Sequence, residues 1–298
     1  MNPPGNGAVP AVLPGGIRTA ATTSSSAGPR TAGSRAGVGS LFAAGPLAET
    51  GPRSPALIAV AHGSRDPRSA ATMYAVVEQI AAARPDLDVR LAFLDLNAPS
   101  VDQVVDSVAA DGHSHAVVVP LLLGSAFHAR VDLPGMLDEI RARHPRLRLT
   151  QADVLGADPR LITALRDRVL EMLSDPVRKA ARRIGIAVAA VGSSSAAANV
   201  RTAEVARALT DLTGWDAETC FATTNPNLPE AVSALRARGA EQVIVAPWFL
   251  APGLLTDRLI AAAPDVTHAP TLGAHPHLSE VVLDRYLAAT IAPLRLSA

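Results

Sequence analysis

From about Ala56 onward, short apolar runs alternate with longer stretches in which apolar residues recur every three or four positions. The short runs, rich in Val, Ile, Leu and Ala, predict strands over 57–61, 88–94, 115–120 and 148–152. The periodic stretches predict helices over 68–83, 100–111, 132–143 and 159–173. A polar segment, Ser-Asp-Pro-Val-Arg-Lys-Ala-Ala-Arg-Arg, follows at 174–183. A second series then begins, with strands near 184–191, 217–222, 242–247 and 265–267 and helices near 195–212, 227–238, 254–262 and 278–292. Strand–helix alternation of this kind predicts an α/β fold of small parallel sheets flanked by helices.

The two series share landmarks in the same order. Val119-Pro120-Leu121-Leu122-Leu123 corresponds to Ala246-Pro247-Trp248-Phe249-Leu250, and Phe93-Leu94-Asp95-Leu96-Asn97 to Phe221-Ala222-Thr223-Thr224-Asn225. Leu155-Gly156-Ala157-Asp158-Pro159-Arg160-Leu161 corresponds to Leu272-Gly273-Ala274-His275-Pro276-His277-Leu278. The pattern predicts a duplication: an N-terminal domain over 53–174, a linker at 175–183 and a degenerate repeat over 184–298, facing each other across a cleft. Residues 1–52, rich in Gly, Ala, Pro, Ser and Thr and without apolar period, read as a disordered extension or as the product of a start codon set too early.

Composition narrows the function classes. Lys+Arg and Asp+Glu both number 27, so no basic excess is available to hold a nucleic-acid backbone. No apolar run reaches the roughly 18 residues that span a bilayer. The single Cys220 excludes an internal disulfide and a thiolate metal cage, and suits a reducing cytoplasm. Aromatic residues make up only 3% of the chain, so aliphatic side chains and alanine must build the core.

The candidate chemistry lies where predicted strands end. His62 follows Leu57-Ile58-Ala59-Val60-Ala61, and His128 closes Val117-Val118-Val119-Pro120-Leu121-Leu122-Leu123-Gly124-Ser125-Ala126-Phe127-His128. Asp95 follows the strand between them. In a parallel sheet all three reach the carboxyl edge, where open α/β folds place ligands. Neutral imidazole binds late first-row divalent metals, a carboxylate adds charge, and three ligands leave coordination positions open. By the order of the shared landmarks, the second copy has Gly192, Leu255 and Thr223 at these places. Loss of the ligand-type side chains with retention of the strands favours function over structure.

These segments resemble the sirohydrochlorin chelatases, the class II chelatases of sirohaem and cobalamin synthesis. The resemblance is carried by His62-Gly63-Ser64-Arg65, by Phe93-Leu94-Asp95-Leu96, and by Pro120 to His128 with Asp132-Leu133-Pro134. It covers about residues 56–293. It implies a lyase that inserts Co2+ or Fe2+, with Ni2+ a further candidate, into sirohydrochlorin and releases two pyrrole protons. It implies His62, His128 and Asp95 as the groups that handle metal and protons, with no permanently bound cofactor. The family usually carries Glu at the acidic position, so Asp95 is one methylene short. A substrate with eight carboxylates calls for donors beside the cleft, which puts Ser64, Arg65, Ser125, Arg130, Ser193 and Ser194 forward as substrate contacts; Arg68 reads better as a surface charge. The implied partners are a tetrapyrrole and a metal ion, without nucleic acid or membrane, in a cytoplasmic monomer or homodimer. A carrier that binds metal or tetrapyrrole without insertion is the alternative, and a binding protein for a small anion with structural histidines is a third.

Other groups are weaker. His275-Pro276-His277 looks like a metal clip, but its counterpart Asp158-Pro159-Arg160 suggests a helix cap instead. His113, His115 and His144 fall in turns or at helix ends and are expected to be exposed. Cys220 reads as core, and Gly192-Ser193-Ser194-Ser195 lacks the Gly-Lys-Ser/Thr of a phosphate loop.

Overall fold

The computed structural model describes residues 53–124, 133–173 and 183–291. The segments 1–52, 125–132 with Ser125, His128 and Arg130, 174–182 and 292–298 lie outside the described residues. Four parallel strands, β1 (Ala56–Ala61), β2 (Val89–Phe93), β3 (His115–Pro120) and β4 (Arg148–Gln151), form a sheet in the order β2-β1-β3-β4. A second parallel sheet contains β5 (Ile184–Ala190), β6 (Asp216–Phe221), β7 (Gln242–Pro247) and β8 (Thr267–His268), in the equivalent order β6-β5-β7-β8. The helices are α1 (Pro67–Ala83), α2 (Val101–Ala110), α3 (Leu133–Arg143) and α4 (Pro159–Met172) in the first half. Those of the second are α5 (Ala196–Thr213), α6 (Leu228–Ala237), α7 (Leu254–Ala262) and α8 (Pro276–Ile291).

Several helices begin where the sequence offers an acceptor for orphan amides. Asp66 caps α1 ahead of Pro67, Asp158 caps α4 ahead of Pro159, and Ser100 and Asn227 make capping boxes with Gln103 and Glu230. The last strand is shorter and later than the pattern predicts. Val266 is spent in the turn that closes α7, donating to the Ala263 carbonyl, so pairing starts at Thr267.

The central strands are buried on both faces, so their side chains sort by parity. Leu57, Ala59 and Ala61 enter one apolar cluster, while Ile58 and Val60 join α2 and α3 in another. The first of these clusters is shared by both halves, because the terminal helices cross over. Helix α4 packs on α5 and β7 of the second half, and α8 packs on α1, β3 and β4 of the first. Polar contacts follow the exchange: Tyr286 Oη donates to the Pro55 carbonyl at 2.7 Å, and Arg285 donates to the carbonyls of Val154 and Leu155. Arg168 donates to the Leu272 carbonyl at 2.8 Å. On this face neither half closes a core alone, whereas the cluster on the opposite face of each sheet belongs to its own half. Truncating a fully buried anchor of this shared core, Leu57 or Leu161, costs about 2–5 kcal/mol.

Candidate functional site

The β1–β2 ladder continues past the strand ends. Leu94 N–H donates to the Ala61 carbonyl at 2.9 Å and Asp95 N–H to the His62 carbonyl at 3.0 Å. His62 and Asp95 are thus backbone partners on the carboxyl edge, both exposed. The next residue must be glycine: Gly63 has φ +98°, and a Cβ there would lie 1.8 Å from the Asp95 carbonyl oxygen. Ser64 N–H donates to Asn97 Oδ1 at 2.7 Å, tying the loop after β1 to the loop after β2. Asp95 Oδ1 accepts from Leu96 N–H at 2.7 Å. Leu96 itself sits at φ 62°, a left-handed conformation that a bulky residue adopts at a cost of about 1–3 kcal/mol, with its side chain exposed. The loop that presents Asp95 is therefore strained and held by its own carboxylate.

The second half repeats this skeleton without its chemistry. Ala222 N–H donates to the Ala190 carbonyl and Thr223 N–H to the Val191 carbonyl at 3.1 Å. Gly192 has φ +90°. Bond for bond, the partner of His62 is Val191, and Gly192 corresponds to Gly63, one position away from the match the landmarks give. Thr223, the partner of Asp95, turns its hydroxyl back to donate to the Val191 carbonyl at 2.7 Å. The match of His128 with Leu255 also gives way. Eighteen positions separate Leu122, which accepts from Leu155, from Ile140 at the end of α3; ten separate the equivalents, Phe249 and Leu259. The second half is eight residues shorter there, and the register of Ile140 with Leu259 sets Leu255 opposite Met136.

The other candidates separate as follows. Ser64 Oγ and Ser193 Oγ each accept from the amide two residues on, at 3.1 Å, so both hydroxyls shape their loops. Ser194 and Arg65 are exposed at the same edge. Arg68, read as a surface charge, bridges the halves: it pairs with Asp66, the cap of α1, and at 2.6 Å with Asp257 of α7. The hydrogen bond from Arg68 holds the Asp66 carboxyl below the usual carboxylate range. Asn97, which locks the His62 loop, was missed; a lone asparagine in a turn gives no signal of the partner it reaches.

His275 proves to be a cap. Its Nδ1 accepts from His277 N–H at 3.3 Å, and His277 Nδ1 lies 2.9 Å from Glu280. Burial, then Arg168, lowers the pKa of His275 and keeps the ring neutral, as an acceptor must be. His113 is not exposed as expected: its side chain is 8% accessible and meets Asp88 at 2.9 Å. His115, the first residue of β3, and His144 are half-buried and not exposed as expected, meeting Thr150 and Asp106. Cys220 is core, its thiol pushed up to about 12 by burial and Glu218. Among the described residues no group of three or more His, Cys, Asp or Glu side chains is assembled for a metal ion. His62 and Asp95 supply two, and the third predicted ligand, His128, lies outside those residues.

The family described as CbiX matches this chain over residues 56–172 and 185–289, both halves together. A sirohydrochlorin cobaltochelatase of Priestia megaterium is 28% identical over 241 residues, covering 76% of this chain and 77% of that protein. A sirohydrochlorin ferrochelatase of the same organism is 27% identical over 239 residues, covering 76% and 87%. Among solved structures, SirB from Bacillus subtilis with Fe3+ superposes with a TM-score of 0.67 at 25% identity, covering 80% of this chain and 96% of that one.

Proposed function

The chain belongs to the CbiX family, and on that premise we propose that it is a lyase-class chelatase that inserts Co2+ or Fe2+ into sirohydrochlorin with release of two pyrrole protons. The observation that carries this reading is the family match across both halves, joined to the pairing of His62 with Asp95 on one sheet edge. Cobalto- and ferrochelatases stand at nearly equal similarity, so cobalt and iron are both retained as metal substrates.

In this reading His62, His128 and Asp95 receive the metal. Few protein ligands leave positions open for pyrrole nitrogens and let the ion depart with the product. Neutral imidazole, with an ordinary pKa of about 6.5, accepts a pyrrole proton at physiological pH. Asp95 supplies the negative charge that draws the cation to the edge. Arg65 and Arg130, with Ser64, Ser125, Ser193 and Ser194, are the contacts this reading assigns to the substrate carboxylates. The metal-handling residues belong to the half over 53–174, and the half over 184–298 completes the shared core. A single buried thiol and a balanced charge suit cytoplasmic work on a small molecule, as a monomer or homodimer, without nucleic acid.

The test is an anaerobic absorbance assay with sirohydrochlorin and Co2+ or Fe2+ at substoichiometric protein. Many turnovers per chain, above the no-protein rate, are expected. A spectral change that stops at one equivalent would make the protein a carrier instead.

A further inference from the structure

The second half has lost His62 and Asp95, yet a hollow of about 450 Å³ opens at its carboxyl edge. Phe221, Ala222, Thr223, Thr224, Asn225, Asn227 and Arg258 line it. It occupies, in the second half, the position of the Asp95 loop in the first. Arg258 is the only charged side chain in the lining and is exposed. It makes no hydrogen bond or ion pair with any described residue, in contrast to neighbouring Arg68, which Asp66 and Asp257 neutralise. Asn227, the N-cap of α6, is engaged with Glu230, whose carboxylate accepts from the Asn227 N–H at 2.9 Å, so the charge for an anion rests on Arg258 alone.

The duplication supplies an independent argument. Helices α3 and α7 end in the same pattern of hydrogen bonds, His144 to Ile140 and Ala263 to Leu259. This register makes Glu139 the counterpart of Arg258. Two acidic positions of the first half, Asp95 and Glu139, thus become Thr223 and Arg258 in the second. Charge is lost at the first of these places and reversed at the second, which leaves the edge of the second half without a carboxylate at the Asp95 position and with a cation on α7. The two edges adjoin, since Asp257, next to Arg258, pairs with Arg68 on the helix that starts five residues after His62.

We propose that this hollow seats a carboxylate arm of the tetrapyrrole, an acetate or propionate side chain, with Arg258 as its charged partner. Hydroxyl and amide groups of Thr224 and Asn225 complete the donor set. The proposal rests on the chelatase reading, and it gives the second half a role: it positions the substrate whose metal the first half supplies. Arg258 is a positioning residue, felt in substrate affinity and not in the chemical step.

The test is steady-state insertion by the full chain, with sirohydrochlorin varied at saturating metal, for wild type, Arg258→Ala, Arg258→Lys and Arg258→Glu. The expected result is a roughly tenfold rise in KM for sirohydrochlorin in Arg258→Ala, the loss of one charge-assisted contact. The same variant keeps kcat within about twofold and the KM for metal unchanged. Arg258→Lys recovers most of the affinity, and Arg258→Glu is worse than alanine; thermal unfolding midpoints check that each variant is folded. A KM for Arg258→Glu within twofold of wild type overturns this proposal and leaves the chelatase reading standing. No turnover by the wild type overturns both.

Discussion

The two halves are built on one hydrogen-bond plan and diverge where that plan reaches solvent. Both pair the second residue beyond β2 or β6 with the first residue beyond β1 or β5, and both turn on a glycine of positive φ. One half presents His62 and Asp95 there, the other Val191 and Thr223. The fold therefore does not need the histidine or the carboxylate, since the same turn closes without them. On the function proposed above, the difference divides the labour between a cation-handling edge and an anion-holding edge derived from the same unit.

The largest effect should come from the position that differs most. His62→Ala is expected to reduce metal insertion by at least about 100-fold with an unchanged unfolding midpoint, whereas Val191→Ala should change it less than about threefold. Equal losses in an anaerobic insertion assay would break the comparison. Asp95→Asn preserves an acceptor for Leu96 N–H while removing the charge. A loss of about 10- to 100-fold in insertion rate is expected for it, with Asp95→Glu close to wild type, so that charge is separated from loop shape. Little loss in Asp95→Asn would assign Asp95 to the loop alone.

The glycines sharpen the same contrast in stability. A Cβ on Gly63 would meet backbone, the Asp95 carbonyl oxygen at 1.8 Å, and cannot be relieved by a side-chain shift. On Gly192 it would meet Thr224 Cγ2 at 2.8 Å and Phe221 Cβ at 3.0 Å, which yield more easily. Urea unfolding should give a loss of about 3 kcal/mol for Gly63→Ala and about 1–2 kcal/mol for Gly192→Ala. The reverse order would show that the two turns are not equivalent.

Much of this was legible in the chain. Strands β3 and β7 and helix α7 match their apolar patterns residue for residue, and the duplication shows in Pro120 and Pro247, Gly156 and Gly273. The crossing of α4 and α8 was not legible, because periodicity shows which face of a helix is buried but not which sheet buries it. The register of His62 against Val191 was read one residue wrong, since the glycine marks the left-handed turn and the flanking serines do not. His62 and Asp95 could be read as partners because strand ends converge in any parallel sheet. Arg258 could not: its meaning depends on Glu139, and eight missing residues hide that equivalence.

The smallest effect concerns the helix caps, where the halves differ again. Asp158 caps α4 and His275 caps α8. Burial pushes the Asp158 carboxyl up, but the hydrogen bonds from Arg160 and the charges of Arg160 and Arg285 outweigh it and hold it below its ordinary value. Its contribution is present above the unfolded carboxylate pKa and is lost as pH falls through the depressed folded value. The pKa of His275 is also lowered, so its contribution is present above the unfolded value of about 6.5 and is lost as pH falls through the depressed folded value. Denaturation at pH 7 and pH 5 should therefore show a loss of stability that His275→Asn reduces. An identical pH dependence in that variant would remove His275 from the account.

The most direct test of the division of labour is a single-turnover experiment with sirohydrochlorin already bound, mixed anaerobically with Co2+ while a pH indicator follows proton release. The account predicts two protons per metal inserted in the wild type, released in step with the spectral change. In His62→Ala both signals should fall together to the uncatalysed rate, while Arg258→Ala, loaded to the same occupancy, should keep the wild-type rate. Insertion and proton release by His62→Ala within a few-fold of wild type would contradict it.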